Sequence, residues 1–230
     1  MDQHGTIDKY MGDAIMAFWN APVDLDDHAS HACDAALEML VQVERLNVAL
    51  EREAEAAGRK FIALRVGIGL NTGTCLVGNL GSDLRFDYSA LGDPVNLASR
   101  IEGLTKTYGV PVLAGERMAS LAAGHAFIEV DLIKVVGKTI PERIFALVGG
   151  RELRNSPGFA TFKAHHDRGL ACYRAKDWEG ALEAFSQAER SMPPGLDVSA
   201  IYRLYQQRID DYSTAAPMAD WTGIEVATEK

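Results

Sequence analysis

The 230-residue chain lacks any long run of basic residues and carries a net charge of −9. That balance excludes a binder of duplex nucleic acid, which must set cations against many phosphates. It leaves open a nucleotide site, where a few local cations are enough. Cysteine is scarce. Cys33, Cys75 and Cys172 stand far apart, odd in number and without a CxxC pair. Neither a disulfide framework nor a zinc site is predicted, and a reducing, cytoplasmic setting follows. No apolar run approaches the roughly 18 residues that a membrane span needs. The polar opening Met1-Asp2-Gln3-His4-Gly5 has no signal-peptide character. Against these absences, 47% hydrophobic and 24% charged residues describe an ordinary globular chain.

Two short runs, Thr6 to Tyr10 and Ala14 to Trp19, flank Met11-Gly12-Asp13 and predict a hairpin. Asp26 or Asp27 can cap a following helix. Its apolar face is Ala32, Ala36, Leu40, Val43, Leu46 and Leu50, with Gly58 as its stop. Phe61 to Leu70 alternates cleanly and predicts a strand, with Ile62, Leu64, Val66, Ile68 and Leu70 on one face. A turn at Asn71-Thr72-Gly73 leads to Cys75-Leu76-Val77 and then to a glycine-rich stretch, Gly78 to Ser82. A strand is predicted over Phe86 to Leu91. Asp93 and Pro94 then open a helix that stops at Gly109. Val110 to Ala114, Phe127 to Val136 (one strand or two) and Arg143 to Val148 complete an α+β fold with a largely antiparallel sheet.

Near Gly149-Gly150 the pattern turns helical, which sets domains at 1–150 and 151–230. Leu170 to Tyr173, Trp178 to Leu182 and Ala184-Phe185 resemble one tetratricopeptide hairpin. A further helix is predicted over Val198 to Tyr212. One such unit cannot form a solenoid, so this all-α tail is expected to pack on the first domain or to dock a protein partner.

Three segments carry the chemistry. They are Asp8-Lys9-Tyr10-Met11-Gly12-Asp13 with its apolar continuation, Gly67-Ile68-Gly69-Leu70-Asn71-Thr72-Gly73 continuing to Gly81, and Asp87-Tyr88-Ser89-Ala90-Leu91-Gly92-Asp93-Pro94-Val95-Asn96 running on to Arg100. Together, from about Gly5 to Val148, they resemble the catalytic domain of class III adenylate and guanylate cyclases. The resemblance implies a ferredoxin-like cyclase sheet that cyclises a nucleoside triphosphate and expels pyrophosphate. It implies two magnesium or manganese ions per site and a homodimer with two sites between its subunits.

Residue by residue, the resemblance makes Asp13 a metal ligand and Lys9 the base-selecting lysine. Ser89 becomes the reader of the exocyclic group, Asn96 the orienter of the ribose, and Arg100 the group that steadies the transition-state phosphate. Lys138, in Val136-Gly137-Lys138-Thr139, becomes a phosphate ligand. An ammonium only donates hydrogen bonds and a hydroxyl can accept one, so Lys9 with Ser89 suits adenine and hence ATP. Asp87, two residues before Ser89, is not at the matching position. Taken alone, Asp13 would be a turn residue, Lys9 and Lys138 solvated charges, and Asn96 and Arg100 surface groups on one helical face. The flanking motifs shift each reading toward the site.

The family also has a metal-binding Asp on an opening strand and a phosphate loop after it. Eight residues before Lys9 leave no room for either. An N-terminally truncated cyclase sheet with little or no turnover on its own is therefore expected, in a family whose members often carry sensory or membrane-spanning segments upstream. A guanylate cyclase, or a non-catalytic domain that binds nucleotide or dimerises, are the alternatives.

Overall fold

The computed structural model describes residues 3–82, 85–134, 141–215, 217 and 221–226. The first elements are β1 (Thr6–Met11), β2 (Ala14–Phe18), α1 (His28–Ala56), β3 (Ile68–Leu70), β4 (Leu76–Ser82) and β5 (Arg85–Leu91). Then come α2 (Asp93–Tyr108), β6 (Val112–Gly115), α3 (Glu116–Leu121), β7 (Ala126–Lys134) and β8 (Glu142–Gly149). The tail comprises α4 (Arg151–Arg154), α5 (Pro157–Arg174), α6 (Trp178–Arg190), α7 (Ser199–Thr214) and β9 (Glu225–Val226).

Five strands form the main sheet in the order β3-β6-β8-β7-β9. The pairs β6–β8 and β7–β8 are antiparallel, while β3–β6 and β7–β9 are parallel. The strands alternate in what they bury. Val112, Ala114, Phe127 and Leu147 face the small side chains Ala29, Ala32, Cys33 and Ala36 of α1. Leu113, Ile128, Ile144 and Ala146 face Ile101, Leu104 and Tyr108 of α2 and the tail helices. A period-two pattern thus becomes two cores, one on each side of the sheet.

The tail belongs to the second core. Phe159, Phe162, Leu170, Tyr173, Phe185, Ile201, Tyr205 and Ile209 are buried in the same cluster as Ile128 and Val130. The apolar face that the sequence offered to a partner is covered by the sheet of its own chain. Nor is the tail wholly helical, as expected from its sequence. Glu225–Val226 returns to pair with Ile133 and Lys134 at the β7 edge. Two residues carry no periodicity, and only the free edge of β7 makes them a strand.

A buried carboxylate ties these layers together. β7 has a register break between Glu129 and Asp131, so Val130 is an extra residue. The bulge turns Asp131 to the helical side. There its Oδ2 accepts from Tyr108 Oη of α2 and from Arg208 Nη1 of α7, each at 2.7 Å, and its Oδ1 accepts from Leu132 N at 2.8 Å. Arg208 Nε also lies 3.7 Å from Glu225 Oε1. Burial, reinforced by Asp131, pushes the Tyr108 phenol well above its usual range. Burial alone would weaken the Arg208 charge, but Asp131 together with Tyr205, Tyr108 and Glu225 outweighs it and Arg208 stays firmly cationic.

Three other expectations are corrected. The strand predicted over Phe61 to Leu70 forms only at Ile68–Leu70, and Ile62 and Leu64 are 77% and 47% exposed. The backbone N–H and C=O of Leu64 bond to the Asn47 side chain of α1 at 2.8 and 3.0 Å, where a ladder needs a strand. The glycine-rich stretch Gly78 to Ser82, for which no strand is predicted, is most of β4 and pairs with Arg85 to Ser89 of β5. The face predicted for α1 is buried only in its first half, and Leu46 is 47% exposed. At 1.5 Å per residue the helix is roughly 44 Å long, and its second half runs past the sheet. Smaller shifts concern the caps. Gly92, not Asp93, is the N-cap of α2, and Asp27 stands at the N-cap of α1 without a side-chain bond.

Two stability predictions follow. Arg208→Leu leaves Asp131 buried without its charge partner and should cost about 3–5 kcal/mol in denaturant unfolding. The double variant Asp131→Leu/Arg208→Leu should lose clearly less than the sum of the single losses. The second concerns His166, which is fully buried. Its Nε2–H donates to the Glu129 carbonyl at 2.6 Å, and Nδ1 faces Tyr202 Oη at 3.1 Å. Burial lowers its pKa, more than the Glu129 carbonyl and Asp167 raise it. The unfolded chain then binds the proton first, so this stabilisation is present above about pH 6.5 and is lost as pH falls below that. Melting temperature should drop between pH 7 and pH 5.5, and the drop should be shallower in His166→Gln.

Candidate functional site

The first hairpin is made by its turn. Gly12 has φ +65°, a left-handed conformation that suits glycine at a tight two-residue turn, and Asp13 completes the turn with its side chain exposed. β1 and β2 form a two-stranded sheet of their own, as do β4 and β5. The two hairpins meet through rings and a hydrogen bond. Phe18 and Tyr88 lie 5.9 Å apart between centroids. Ser89 Oγ, on β5, donates to Asp8 Oδ2, on β1, at 2.5 Å.

That bond depends on a second bulge. The β1–β2 register breaks between Ile7 and Lys9, which leaves Asp8 as the extra residue. Strict alternation would send Asp8 and Lys9 to opposite faces. Instead Lys9 Nζ lies 3.4 Å from Asp8 Oδ1. The Asp8 side chain is fully buried, while that of Lys9 is 42% exposed. Apart from this ion pair, Asp8 Oδ1 has no hydrogen-bond partner among the described residues. Ser89 is 4% exposed. A carboxylate thus sits between an ammonium and a hydroxyl, and it links Lys9 to Ser89 across the two hairpins.

α2 presents the next two residues. Leu97, Ile101, Leu104 and Tyr108 point into the core, which leaves Asn96 and Arg100 one turn apart on the exposed face. The helix can lie close to β3 because of glycine. A Cβ on Gly69 would stand 2.1 Å from the Ala98 carbonyl oxygen and 2.5 Å from Glu102 N. Asn71 Nδ2 then donates to the Pro94 carbonyl at 3.0 Å and pins the first turn of α2 to the strand end. The run Gly67 to Gly73 is therefore a seat for the helix.

Of the residues singled out from the sequence, Lys9 and Ser89 are drawn together. Asp13, Asn96 and Arg100 are held separately, on the hairpin turn and on the outer face of α2. Lys138 lies outside the described residues. Sequence reasoning assigned no role to Asp8, because the bulge that turns it toward Ser89 leaves no mark in the residue pattern. A cavity of about 210 Å³ beside the start of α2 is a different place. Asp93, Glu116 and Glu142 line it together with Arg117, and none of the predicted site residues does.

Residues 3–148 match the family described as the adenylate and guanylate cyclase catalytic domain. The match takes in more than half of the chain, and the chain belongs to that family. Its class is therefore that of the nucleotide cyclases. Adenylate cyclase 1 of Rhizobium meliloti (strain 1021) is 39% identical over 146 residues, which cover 63% of this chain and 21% of that protein. Among solved structures, the adenylyl cyclase CyaB from P. aeruginosa is 30% identical with a TM-score of 0.53, over 65% of this chain and 74% of that one. The guanylyl cyclase Cya2 is 28% identical with a TM-score of 0.54, over 65% and 72%. The chain spans about a fifth or less of the curated relatives it matches. No described helix is long and apolar enough to cross a membrane.

The close seat of α2 yields a prediction. Gly69→Ala must push α2 off β3, because the added carbon meets backbone rather than a flexible side chain. Overpacking of this kind should cost about 1–3 kcal/mol, read as a lower midpoint of denaturant unfolding. Gly78→Ala, whose Cβ meets nothing within 4 Å, should leave the midpoint nearly unchanged.

Proposed function

We propose that the chain works as part of an adenylate cyclase domain, which converts ATP to 3′,5′-cyclic AMP and pyrophosphate. The observation that carries this reading is the pairing of Lys9 and Ser89 through the buried Asp8 carboxylate. An ammonium donor beside a hydroxyl acceptor matches adenine, whose ring nitrogen accepts and whose amino group donates. Guanine presents the reverse, a ring N–H and a carbonyl, and suits this pair poorly.

The remaining roles follow from position and chemistry. Asn96 can orient the ribose by hydrogen bonds to its oxygens. Arg100, one turn further on, sets a guanidinium where charge builds on the α-phosphate as the 3′ oxygen attacks. Lys138 would bind phosphate. Among the described residues no group of three or more His, Cys, Asp or Glu could enclose a metal ion. Asp13 offers one exposed carboxylate, which fits magnesium, an ion that keeps several waters and takes its other oxygens from substrate phosphates. Bound there, a divalent ion would neutralise phosphate charge and ease ionisation of the attacking hydroxyl. The chain carries both a metal-ligand candidate, Asp13, and the candidates for base, ribose and phosphate contacts, which supports a homodimer whose two sites are each built from both subunits.

The test is base preference. In the presence of Mn²⁺, 2′,3′-dideoxy-ATP, which lacks the attacking hydroxyl, should bind at least about ten-fold tighter than its guanine counterpart, the worth of one or two well-placed hydrogen bonds. Lys9→Ala should abolish most of that preference. Any turnover should favour cyclic AMP over cyclic GMP by a similar factor. Equal affinity for the two bases in the unaltered chain would sink the adenylate assignment.

A further inference from the structure

We propose that Asp8 is the residue that makes Ser89 selective, by holding its hydroxyl hydrogen away from the ligand. The inference rests on the reading that Ser89 meets the exocyclic group of the base. A serine hydroxyl has one donor and two acceptor lone pairs, and its hydrogen rotates to suit its neighbour. Left free, Ser89 could accept from the amino group of adenine or donate to the carbonyl of guanine. It would not discriminate between them.

Asp8 removes that freedom. A carboxylate oxygen can only accept, so the 2.5 Å contact has one direction, with the hydrogen of Ser89 on the Asp8 side. The distance is that of a charge-assisted O–H···O⁻ bond, the stronger kind. The Asp8 side chain is fully buried. Turning the hydroxyl toward a ligand would leave Asp8 Oδ2 buried without a hydrogen-bond partner, and Oδ1 already lacks one among the described residues. What Ser89 has left to offer is its lone pairs.

Two further observations fit this role. The β1 bulge brings Asp8 within 3.4 Å of Lys9, so one carboxylate steadies the ammonium donor and orients the hydroxyl acceptor. Across the β4–β5 ladder, Ser89 stands opposite Gly78. Cross-strand partners share a face, and a Cβ on Gly78 would meet nothing within 4 Å. There is open space beside Ser89 for a ligand group to reach those lone pairs. Asp8 touches no base in this scheme. It acts through Ser89 and Lys9 as a positioning residue.

The test compares Kd for 2′,3′-dideoxy-ATP and 2′,3′-dideoxy-GTP with Mn²⁺, by calorimetry on the whole chain and its variants. Asp8→Ala should lower the adenine preference about ten-fold, chiefly by tightening the guanine analogue as the freed hydroxyl donates to its carbonyl. Asp8→Asn keeps the side-chain volume but offers Ser89 a donor as well as an acceptor. It should move the preference the same way, and it decides the matter if Asp8→Ala does not fold. Ser89→Ala should lower the preference by loosening the adenine analogue, and adding Asp8→Ala to it should change the ratio much less than Asp8→Ala does alone, since only the support of Lys9 is then lost. An unchanged ratio in a folded Asp8→Asn chain, with Ser89→Ala still effective, overturns this inference and leaves the base reading intact. Equal loss of affinity for both analogues in the Asp8 variants overturns it too, since Asp8 would then only brace the hairpins. A Ser89→Ala chain with its full preference removes the base reading, and the role of Asp8 with it.

Discussion

The buried carboxylate of Asp131 sets the terms for most of this structure. It sits on a bulge of β7, in the core, where an unpartnered charge would be severely destabilising. Its partners come from three places far apart in sequence: Tyr108 at the end of α2, Arg208 in α7, and the neighbouring backbone. Satisfying Asp131 therefore holds α2 and α7 against the same strand. Arg208 then reaches Glu225, which stands where β9 joins the sheet edge. A second acid on β7 extends the pattern. Glu129 pairs with Arg143 of β8 and Arg174 of α5. Burial pushes its carboxyl upward, yet those two guanidinium groups outweigh it and hold it below the usual range. The tail is thus bound to the sheet by charge as well as by apolar contact.

This matters for the site because α2 carries Asn96 and Arg100. The helix is located at one end by Tyr108 on Asp131 and at the other by Asn71 on the Pro94 carbonyl. Between them, Gly69 lets its backbone approach β3 more closely than any side chain would allow. Lys9 and Ser89, the proposed base-reading pair, are placed by different means. They depend on two hairpins outside the main sheet, joined by the Phe18–Tyr88 ring contact and the Asp8–Ser89 bond. One part of the candidate site is held by the core and the other by a small contact between hairpins.

Much of this was legible beforehand. The Gly12-Asp13 turn, the helix opened by Pro94 and closed by Gly109, and the strands of β7 and β8 are local features, written in turn residues and periodicity. The grouping of Lys9 with Ser89 followed from a resemblance to a family, carried by three motifs of this chain. What misled was alternation without a neighbour. Phe61 to Leu70 has the pattern of a strand, but most of it has no ladder to join, and Asn47 takes the backbone bonds of Leu64. Gly78 to Ser82 has the composition of a loop, yet it lies against β5 and becomes a strand.

By itself the sequence determined most of the local elements and the family, and it named the residues proposed to read a base, a ribose and a phosphate. These depend on residue type and on spacing within a few positions. Tertiary structure alone decided the two bulges, at Asp8 and Val130, and through them where Asp8 and Asp131 point. A bulge is a mismatch between two strands, and neither strand's own sequence records it. It decided as well that the helical tail shares a core with the sheet, since its apolar face would fit a partner equally well. The hydrogen of Ser89 is the smallest case. The sequence supplies a hydroxyl that can donate or accept, and a carboxylate 81 residues away takes its proton side.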